Sequence, residues 1–392
     1  MQDAKEDIRS RLNIEDVIGE YVRLQRAGRS LKGLSPFNDE KTPSFMVSPD
    51  KHVWYDFSSN QGGDIYSFIM QVEGLDFRGA MELLAQKAGI DLSMYQTGEK
   101  GLGKKKERLY NLLEVASRYY QHTLVKNQHA LEYVTKNRKL NKKVMHDFMI
   151  GYAPNTIESI VTFLKKKGFT ETEIKDAGMS NRASKDLFRS RLMLPLQDAS
   201  GRVIGFTGRL IANDPKAPKY LNTPQTLLYD KSRHVYGLHL AKEAIRKQDR
   251  AVIVEGNLDV VSSHQISVHN VVAAAGTALT EQHLKIIKRL SSNISLAFDN
   301  DRAGLAATER AIEISQQLGI ELNIVSMPDD AKDPDELIQH DPEQWRQAID
   351  DAKPVVDCVL AEDESRHDIA TAEGKRHYST AGLSIISKLV DP

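Results

Sequence analysis

Residues 251–259 have the sequence AVIVEGNLD, in which a short β-branched apolar run passes directly into a glutamate and, four positions later, an aspartate. Two further runs follow the same plan. Residues 294–298 (ISLAF) end in DND at 299–301, and residues 322–325 (LNIV) lead into DPD at 333–335. The segments between these runs repeat apolar residues at helical spacing. Strand-length runs that alternate with helices predict βαβ units around a parallel sheet, and therefore an α/β fold.

The acidic residues of these runs share one property, because each follows the carboxyl end of a predicted strand. Ligands of parallel sheets lie at that edge, so we expect the side chains to converge. They are Glu255, Asp259, Asp299, Asp301, Asp333 and Asp335. Converging carboxylates repel one another unless cations neutralise them, and hard oxygen ligands suit Mg²⁺ or Mn²⁺. Helix capping is the alternative, and it explains one or two of these residues better than the whole set.

This arrangement resembles the toprim domain, the metal-binding fold shared by bacterial primases, type IA and type II topoisomerases and some nucleases. The residues that carry the resemblance are EGNLD at 255–259, FDNDRAG at 298–304 and DPD at 333–335. The resemblance covers a fold and a metal site that several enzyme classes share. The segments on either side must therefore decide between those classes.

The toprim resemblance also implies roles for individual carboxylates. Glu255, Asp299 and Asp301 are expected at the catalytic centre, and all six carboxylates are expected to contribute to the metal site. Asp259 is placed in the outer part of that site, or else it orients Glu255 or a water molecule. Whether Glu255 transfers a proton or binds the ion stays open.

The composition is that of a soluble globular protein with room for several domains. The 392 residues are 40% hydrophobic and 27% charged, with a net charge of −1. The amino-terminal residues do not form a signal peptide, and no apolar run approaches membrane-spanning length. The single cysteine, Cys358, excludes a disulfide within the chain and a cysteine-based metal site. We expect a cytoplasmic protein with no membrane partner.

Charge is unevenly distributed along the chain. Residues 185–250 contain 13 Lys or Arg and 6 Asp or Glu, whereas residues 321–366 contain 14 acidic and 4 basic residues. A basic segment beside a carboxylate cluster suits a phosphate-bearing substrate that is held by side-chain cations and metal ions together. Scattered solvated faces are the alternative explanation for such runs of charge.

Residues 1–95 form the first predicted domain, a small β domain with helices. A turn-rich segment at 33–45 precedes short strand-like runs, and Gly-Gly-Asp at 62–64 precedes a helix. This frame resembles the amino-terminal zinc-ribbon domain of bacterial DNA primases of the DnaG type. In that family two turns carry Cys-x2-His and Cys-x2-Cys. The matching positions here are Ser35, Asn38, Asp56 and Ser59, so we expect the fold to persist with no zinc and to be insensitive to chelators.

Aromatic and basic side chains in the same domain can bind template. Phe45, Lys51, Trp54 and Tyr55 are candidates for stacking against the bases of single-stranded DNA. The alternative is a small aromatic core, for which the candidates are Phe37, Phe45, Trp54 and Phe57. Strand alternation requires Trp54 and Tyr55 to face opposite ways, but it leaves open which of the two faces inward.

The next segments predict a linker and a mixed domain. Residues 96–106 are rich in glycine and lysine and have no apolar period, which favours a flexible linker.

Residues 107–250 are first helical and then contain a hairpin over 189–209, whose turn holds Gly201. They resemble the polymerase core of DnaG-type primases. The family match implies a basic ridge beside the metals that holds nucleotide phosphates and guides template: Arg189, Arg191, Arg209, Lys219, Tyr220, Asn222 and Lys231.

The resemblance covers essentially the whole chain and implies its function. Residues 251–340 would form the toprim subdomain, and residues 341–392 would begin a truncated helical subdomain. The implied activity is synthesis of short RNA primers on single-stranded DNA from ribonucleoside triphosphates, with Mg²⁺ or Mn²⁺ as cofactor. A replicative helicase is the expected partner of the longer family proteins, whose helicase-binding domain is not expected here. The alternatives are a toprim nuclease or topoisomerase, and a single-stranded DNA-binding protein with poor catalytic activity.

Overall fold

The computed structural model describes residues 2–90, 92, 102–156, 159–211, 214, 216–274, 276, 278–298, 302–328, 331–355, 357, 358, 371, 375, 376 and 379. Three sheets organise these residues, two of them antiparallel and one mostly parallel. We call the parts built on them the N-terminal unit, the middle unit and the parallel-sheet unit. The predicted α/β class, with a small β domain ahead of the part that contains a parallel sheet, is confirmed.

The N-terminal unit contains one five-stranded antiparallel sheet and four helices. Its elements are α1 (Gln2–Arg11), α2 (Ile14–Gly19), β1 (Gln25–Ala27), β2 (Ser30–Gly33), β3 (Phe45–Ser48), β4 (Val53–Asp56), β5 (Gln61–Gly63), α3 (Ile65–Glu73) and α4 (Phe77–Lys87). Asp64 and Asp76 cap α3 and α4 by accepting hydrogen bonds from backbone N–H groups of the first turn, as the sequence predicts.

An aromatic cluster forms the core between this sheet and α3. Trp54 stacks on Phe45 with ring centroids 5.4 Å apart, and Phe37 lies at the same distance from Trp54. Phe45 and Trp54 are 0% and 1% exposed, so their predicted stacking against DNA is wrong. Phe57 was predicted in the core and is 67% exposed, because alternation along β4 places it on the side opposite to Trp54.

The middle unit packs helices against a four-stranded antiparallel sheet in the order β6-β7-β8-β9. Its elements are α5 (Leu102–Lys126), α6 (Gln128–Glu132), a π-helical turn (Tyr133–Asn137), α7 (Lys142–Asp147), β6 (Gly151–Ala153), α8 (Ser159–Lys166), α9 (Glu171–Asp176), β7 (Arg191–Gln197), β8 (Val203–Leu210) and β9 (Tyr220–Asn222). The predicted hairpin is confirmed as β7 and β8, and Gly201 adopts φ 85° in its turn.

The predicted linker is partly wrong, because α5 already begins at Leu102. Lys105 pairs with Asp176, and Lys106 pairs with Glu82 of α4. These contacts fix the first turns of a helix whose buried face begins at Leu109. Residues 96–101 lie outside the described residues.

The parallel-sheet unit has the strand order β11-β10-β12-β13-β14. Its elements are α10 (Leu238–Gln248), β10 (Ala251–Val254), α11 (Asn257–Gln265), β11 (Val271–Ala273), α12 (Glu281–Lys288), β12 (Asn293–Ala297), α13 (Arg302–Leu318), β13 (Glu321–Ile324), α14 (Pro334–His340), α15 (Pro342–Asp350) and β14 (Lys353–Pro354). The first four strands are parallel, which confirms the predicted sheet, and β14 adds an antiparallel edge. The carboxyl ends of β10, β12 and β13 therefore meet at one edge.

The N-terminal unit packs against the parallel-sheet unit. Lys242 of α10 forms an ion pair with Glu73 at the end of α3, and the Glu73 side chain is only 8% exposed. A Cβ atom at Gly74 would lie 2.9 Å from Leu290, so the two units approach closely there. A partly exposed pair between Arg233 and Asp76, 3.0 Å apart, extends this contact. Among the described helices, none is long and apolar enough to cross a membrane.

Candidate active site

A pocket of about 220 Å³ lies where the carboxyl edge of the parallel sheet faces the middle unit. Glu255 enters it directly after β10, and Asp333 enters it from the loop before α14. The opposite wall comes from β8 and β9 of the middle unit. The lining residues that the sequence predicted are Arg209, Lys219, Tyr220, Asn222, Glu255, Asp259, Asp333 and Asp335. The structure therefore brings together acidic and basic side chains that lie between 36 positions (Lys219 and Glu255) and 126 positions (Arg209 and Asp335) apart in the chain.

Asp259 and Asp333 organise the backbone around the pocket. The two carboxylate oxygens of Asp259 accept hydrogen bonds from the backbone N–H groups of Gly256, at 2.9 Å, and Asp335, at 3.2 Å. Asp333 caps α14 by accepting a bond from the N–H of Glu336 at 2.8 Å. The helix-capping alternative therefore holds for these two residues, although both also line the pocket.

Asp335 is the most enclosed acidic side chain of the pocket, with a side chain only 6% exposed. One of its oxygens accepts a 2.7 Å ion-pair hydrogen bond from Arg138, and the other accepts a bond from the hydroxyl of Ser262. Both oxygens are thus satisfied by charged or polar donors, as a buried carboxylate requires. The pair also ties the middle unit to the parallel-sheet unit.

Arg138 is a charged residue of this site that the sequence analysis missed. Its backbone N–H donates to the carbonyl of Tyr133, five positions earlier, which closes the π-helical turn. Its Nε donates to the Tyr133 hydroxyl at 3.1 Å, so the guanidinium is held between Tyr133 and Asp335. π-helical turns are rare and often mark functional positions, but no simple sequence pattern predicts one.

The basic wall of the pocket is built on hydrogen bonds between neighbouring strands. Arg209 of β8 donates to the hydroxyl of Tyr220 at 2.7 Å, and Thr207 donates to the side-chain oxygen of Asn222 at 2.6 Å. Burial, followed by the nearby Asp259 carboxylate, raises the pKa of Tyr220 above its ordinary value, so its hydroxyl stays protonated. Lys219 is exposed at the rim.

The remaining predicted ridge residues lie elsewhere. Arg191 is 5% exposed, and its guanidinium donates to the carbonyls of Gly208, Pro218 and Lys219. It therefore positions the segment that carries Lys219, and its donors already have acceptors. Arg189 is exposed and Lys231 is partly exposed, and neither lines the pocket.

Asp299 and Asp301 lie outside the described residues, so their predicted roles stay predictions. They directly follow Phe298, one residue beyond β12, the central strand beside β10. Within the described part of the chain, no three acidic, histidine or cysteine side chains are grouped closely enough to hold an ion. The oxygen donors of Glu255 and Asp333 fit Mg²⁺ in kind, and the ligand set requires further carboxylates at this edge.

The four positions that match zinc ligands form a second cluster, centred on Asp56, which is 0% exposed. Asp56 accepts five hydrogen bonds, from the hydroxyls of Ser35 (2.8 Å), Ser44 (3.1 Å), Ser58 (2.8 Å) and Ser59 (2.6 Å) and from the N–H of Ser58 (3.1 Å). Asn38 donates to Ser58 and so joins the network at its exposed side. Burial raises the pKa of Asp56, but the hydrogen bonds from Ser59, Ser35 and Ser58 more than offset it, and its pKa lies below the ordinary value.

The outer face of the N-terminal sheet carries the exposed aromatic side chains. Tyr55 and Phe57 are 38% and 67% exposed, and their rings meet edge to face at 4.8 Å. Tyr55 is held in place, because its ring lies over Gly62 of the adjacent strand and its hydroxyl donates to Asn60. We call this pair the aromatic face. Lys51 is exposed in the turn between β3 and β4, so its predicted role in DNA binding stays a prediction.

Three known families match successive parts of this chain. The family described as CHC2 zinc finger matches residues 1–100, and the family described as Toprim-like matches residues 252–338. Between them, the N-terminal domain of the DNA primase catalytic core matches residues 119–242. Together, the matches extend over most of the described residues; residues 102–118, 243–251 and 339–355 lie outside them.

The curated proteins and solved structures that this chain resembles are also DNA primases. The DNA primases of Clostridium acetobutylicum and Geobacillus stearothermophilus are 37% and 35% identical to this chain, covering 91% and 99% of it. The chain spans 60% and 66% of their lengths, less than two thirds in each case. The structure of the Aquifex aeolicus primase with its zinc-binding and RNA polymerase domains has a TM-score of 0.65 and 31% identity, over 99% of this chain and 93% of that one. The DnaG primase catalytic domain bound to ssDNA has a TM-score of 0.63 and 33% identity, over 73% of this chain and 92% of that one.

Proposed function

Because this chain belongs to the DnaG-type DNA primase family, we propose that it synthesises short RNA primers on single-stranded DNA. One observation carries the proposal: Arg209 and Lys219 of the middle unit share a single pocket with Glu255 and Asp333 of the parallel-sheet unit. A nucleoside triphosphate needs cationic side chains for its phosphates beside carboxylates that hold a metal ion. The substrates are ribonucleoside triphosphates and the template is single-stranded DNA.

The proposed reaction joins two ribonucleotides. The 3′-hydroxyl of one attacks the α-phosphate of the next, a new phosphodiester bond forms, and pyrophosphate leaves. Arg209 and Lys219 bind phosphate oxygens of the incoming nucleotide and neutralise charge that grows as pyrophosphate departs. Asn222 and Tyr220 offer an amide and a protonated hydroxyl beside them, which orient the ribose or the phosphates.

The proposed cofactor is Mg²⁺, or Mn²⁺, which domains of the toprim type generally bind. When bound, the ion neutralises phosphate charge and lowers the pKa of the attacking hydroxyl. We assign Glu255 and Asp333, together with Asp299 and Asp301, as its ligands. Asp259 and Asp335 support these ligands, because the oxygens of both are already engaged by backbone N–H groups, Ser262 and Arg138.

Arg138 acts in this proposal through Asp335. Its guanidinium neutralises a carboxylate at the edge of the metal site and holds the loop that carries Asp333 in place. This arrangement keeps one enclosed negative charge from adding to the repulsion among the metal ligands. It also fixes the distance between the basic wall and the acidic wall of the pocket.

The N-terminal unit is proposed to bind template with its aromatic face. Tyr55 and Phe57 present rings on which bases can stack without sequence preference. The unit is further proposed to hold no zinc, although it matches a zinc-finger family. Serine, asparagine and aspartate replace the expected ligands, and the hydrogen bonds to Asp56 support the turns that zinc would otherwise join.

A single assay tests the proposed function against its alternatives. The chain is incubated with single-stranded template, Mg²⁺ and labelled ribonucleoside triphosphates, and the products are separated by size. New short RNA that depends on Mg²⁺ is the expected result. Cleavage or relaxation of DNA without new RNA would identify a toprim nuclease or topoisomerase, and binding without any product would identify a single-stranded DNA-binding protein.

A further inference from the structure

A crevice of about 790 Å³ separates the N-terminal unit from α10 of the parallel-sheet unit. One wall contains Arg23, Lys32 and Lys41 of the N-terminal unit, and the other contains Arg246 and Lys247 of α10. We call it the interdomain crevice. It lies outside the candidate active site, with which it shares no lining residue.

The interdomain crevice is basic, with six Lys or Arg and three Glu among its lining residues. Each of the three glutamates forms an ion pair: Glu73 with Lys242, Glu20 with Lys87 and Glu243 with Lys247. Four cations of the lining form no direct ion pair among the described residues, although Glu73 and Glu243 lie near enough to Arg246 to act on its charge: Arg23, Lys32, Lys41 and Arg246. Their charge is therefore available to an anion that comes from outside the chain.

Among these four described cations, Arg246 is the one with a buried donor atom that lacks an acceptor. Its Nη1 atom is buried and donates no hydrogen bond within the described structure, while Nε makes only a 3.4 Å contact to the carbonyl of Lys242. Buried guanidinium donors are almost always hydrogen-bonded in folded proteins. A phosphate oxygen supplies the acceptor that is missing, because guanidinium groups bind phosphate with both charge and geometry.

The cations form a track that begins on the aromatic face. Lys32 is the cross-strand neighbour of Met46, and Met46 is the neighbour of Tyr55, so all three side chains lie on the outer face of the sheet. Lys32 also lines the interdomain crevice, at whose far wall Arg246 lies. A strand whose bases stack on Tyr55 therefore meets Lys32 on the same face of the sheet, and Lys32 in turn lines the crevice that holds the other cations.

We propose that the interdomain crevice binds the phosphodiester backbone of single-stranded nucleic acid that continues from the aromatic face. This inference rests on the proposed function, which supplies the single strand. Spread-out cations suit a backbone with one charge per nucleotide, whereas a free nucleotide needs its cations focused on one point. The crevice thus extends the template path along the side of the molecule.

The interdomain crevice and the catalytic pocket serve different parts of the strand. Arg246 lies in the last turn of α10, which leads to the amino end of β10, whereas Glu255 follows the carboxyl end of that strand. The first and last of the four residues of β10 lie about 10 Å apart. Nucleic acid in the crevice is consequently held away from the reacting nucleotides.

The test measures the binding of a fluorescent oligothymidylate to the full chain at several salt concentrations. The double variant Arg23→Ala/Lys32→Ala removes two exposed cations that make no ion pair, so it leaves the fold intact. We expect its plot of log affinity against log salt to flatten by about 1.4, because each lost single-strand phosphate contact contributes about 0.7. The variant Arg246→Gln should flatten it by about 0.7. The matched control Arg118→Ala removes an exposed arginine of α5 and should leave the slope unchanged.

Three further outcomes separate the possibilities. If wild type makes primers but the crevice variants keep the slope of Arg118→Ala, the interdomain crevice does not bind nucleic acid. If the variants lose affinity for a Mg²⁺–nucleoside triphosphate and keep their affinity for the oligothymidylate, the ligand is a free nucleotide and the proposal is overturned. If wild type makes no primers while the crevice variants flatten the slope, the proposed function fails and the crevice remains supported.

Discussion

Asp56 in the N-terminal unit and Asp335 in the parallel-sheet unit are both buried carboxylates, yet they are neutralised in different ways. Every hydrogen bond to Asp56 comes from an uncharged hydroxyl or amide within 21 positions along the chain. Asp335 is paired with the guanidinium of Arg138, which lies 197 positions away, and neighbours a pocket that holds further carboxylates.

The difference shows what kind of site each environment can be. A single carboxylate surrounded by hydroxyl donors forms a closed local network, and adding a cation would displace those donors. Several carboxylates that meet at one edge of a sheet repel one another, so that a bound cation lowers the free energy of the folded state. We therefore expect the first environment to stabilise turns and the second to bind a metal ion.

The largest effect is expected at the edge where carboxylates converge. Asp299→Asn and Asp301→Asn should each reduce primer synthesis at least about a hundredfold, because each removes a charged ligand from the proposed Mg²⁺ site. They should also abolish the rise in thermal midpoint that Mg²⁺ gives to wild type. Asp351→Asn, which changes an exposed carboxylate, is the matched control. Near-normal synthesis in either variant would show that other carboxylates hold the ion.

The second effect concerns the closed network of the N-terminal unit. Asp56→Ala should destabilise this unit by about 3 kcal/mol or more, because it leaves several hydroxyls and one amide without their acceptor. Hydrogen exchange of the amides in β3 and β4 measures the loss, and Asp50→Ala, an exposed change in the same unit, should have little effect.

A chelator distinguishes this network from a metal site. We expect no change in the exchange of β3 and β4 when a strong chelator is added to wild type, since structural zinc sites contribute on the order of 10 kcal/mol and their loss is obvious. Elemental analysis that found one zinc per chain would contradict the proposal that the network replaces the metal.

The third expected effect is weaker DNA binding when the exposed aromatic rings of the outer face of β4 are removed. Tyr55→Ala and Phe57→Ala should each weaken binding of single-stranded DNA by about 1–3 kcal/mol, because each removes a stacking surface, while the fold is retained. Their salt dependence should match wild type, since neither side chain carries charge. The exposed Val53→Ala is the control on the same face. Unchanged affinity in both aromatic variants would remove the aromatic face from the template path.

Much of this architecture follows from local sequence patterns. The strands β10, β12 and β13 and their parallel order could be predicted, because apolar runs of strand length alternate with helical segments around them. The carboxylates after β10 and before α14 could be predicted to meet for the same reason. The alternation of successive side chains between the two faces of a strand also predicted that Trp54 and Tyr55 face opposite ways.

Other features depend on tertiary contacts that local patterns do not encode. The inward face of β4 is chosen by packing against α3, which is why Phe57 was misplaced. Arg191 and Arg209 occur in similar sequence surroundings, but only Arg191 is buried among backbone carbonyls. Arg138 meets Asp335 through a π-helical turn and a contact between distant segments, so nothing near Arg138 in the sequence signals its role.

The smallest effect is a change in acid sensitivity. The folded-state pKa of Asp56 lies below its ordinary value of 3.8, so the carboxylate contributes stability above that pH and loses its contribution as pH falls through the folded-state pKa. Ser59→Ala removes the hydroxyl donor that lowers the pKa of Asp56 most. The variant should therefore lose about 1 kcal/mol at neutral pH and should begin to unfold at a higher pH than wild type.

Fluorescence of Trp54 follows this transition in a Trp345→Phe background, where it is the only tryptophan of the chain. Ser30→Ala, which changes a serine of β2 that makes no side-chain hydrogen bond among the described residues, is the matched control. In the proposed zinc-free state, only neutral hydrogen-bond donors stabilise the charge of Asp56, whereas Asp335 is paired with the Arg138 guanidinium. If the acid transition of Ser59→Ala coincides with that of Ser30→Ala, hydroxyl donors do not set the pKa of Asp56, and a bound cation becomes the better explanation for its burial.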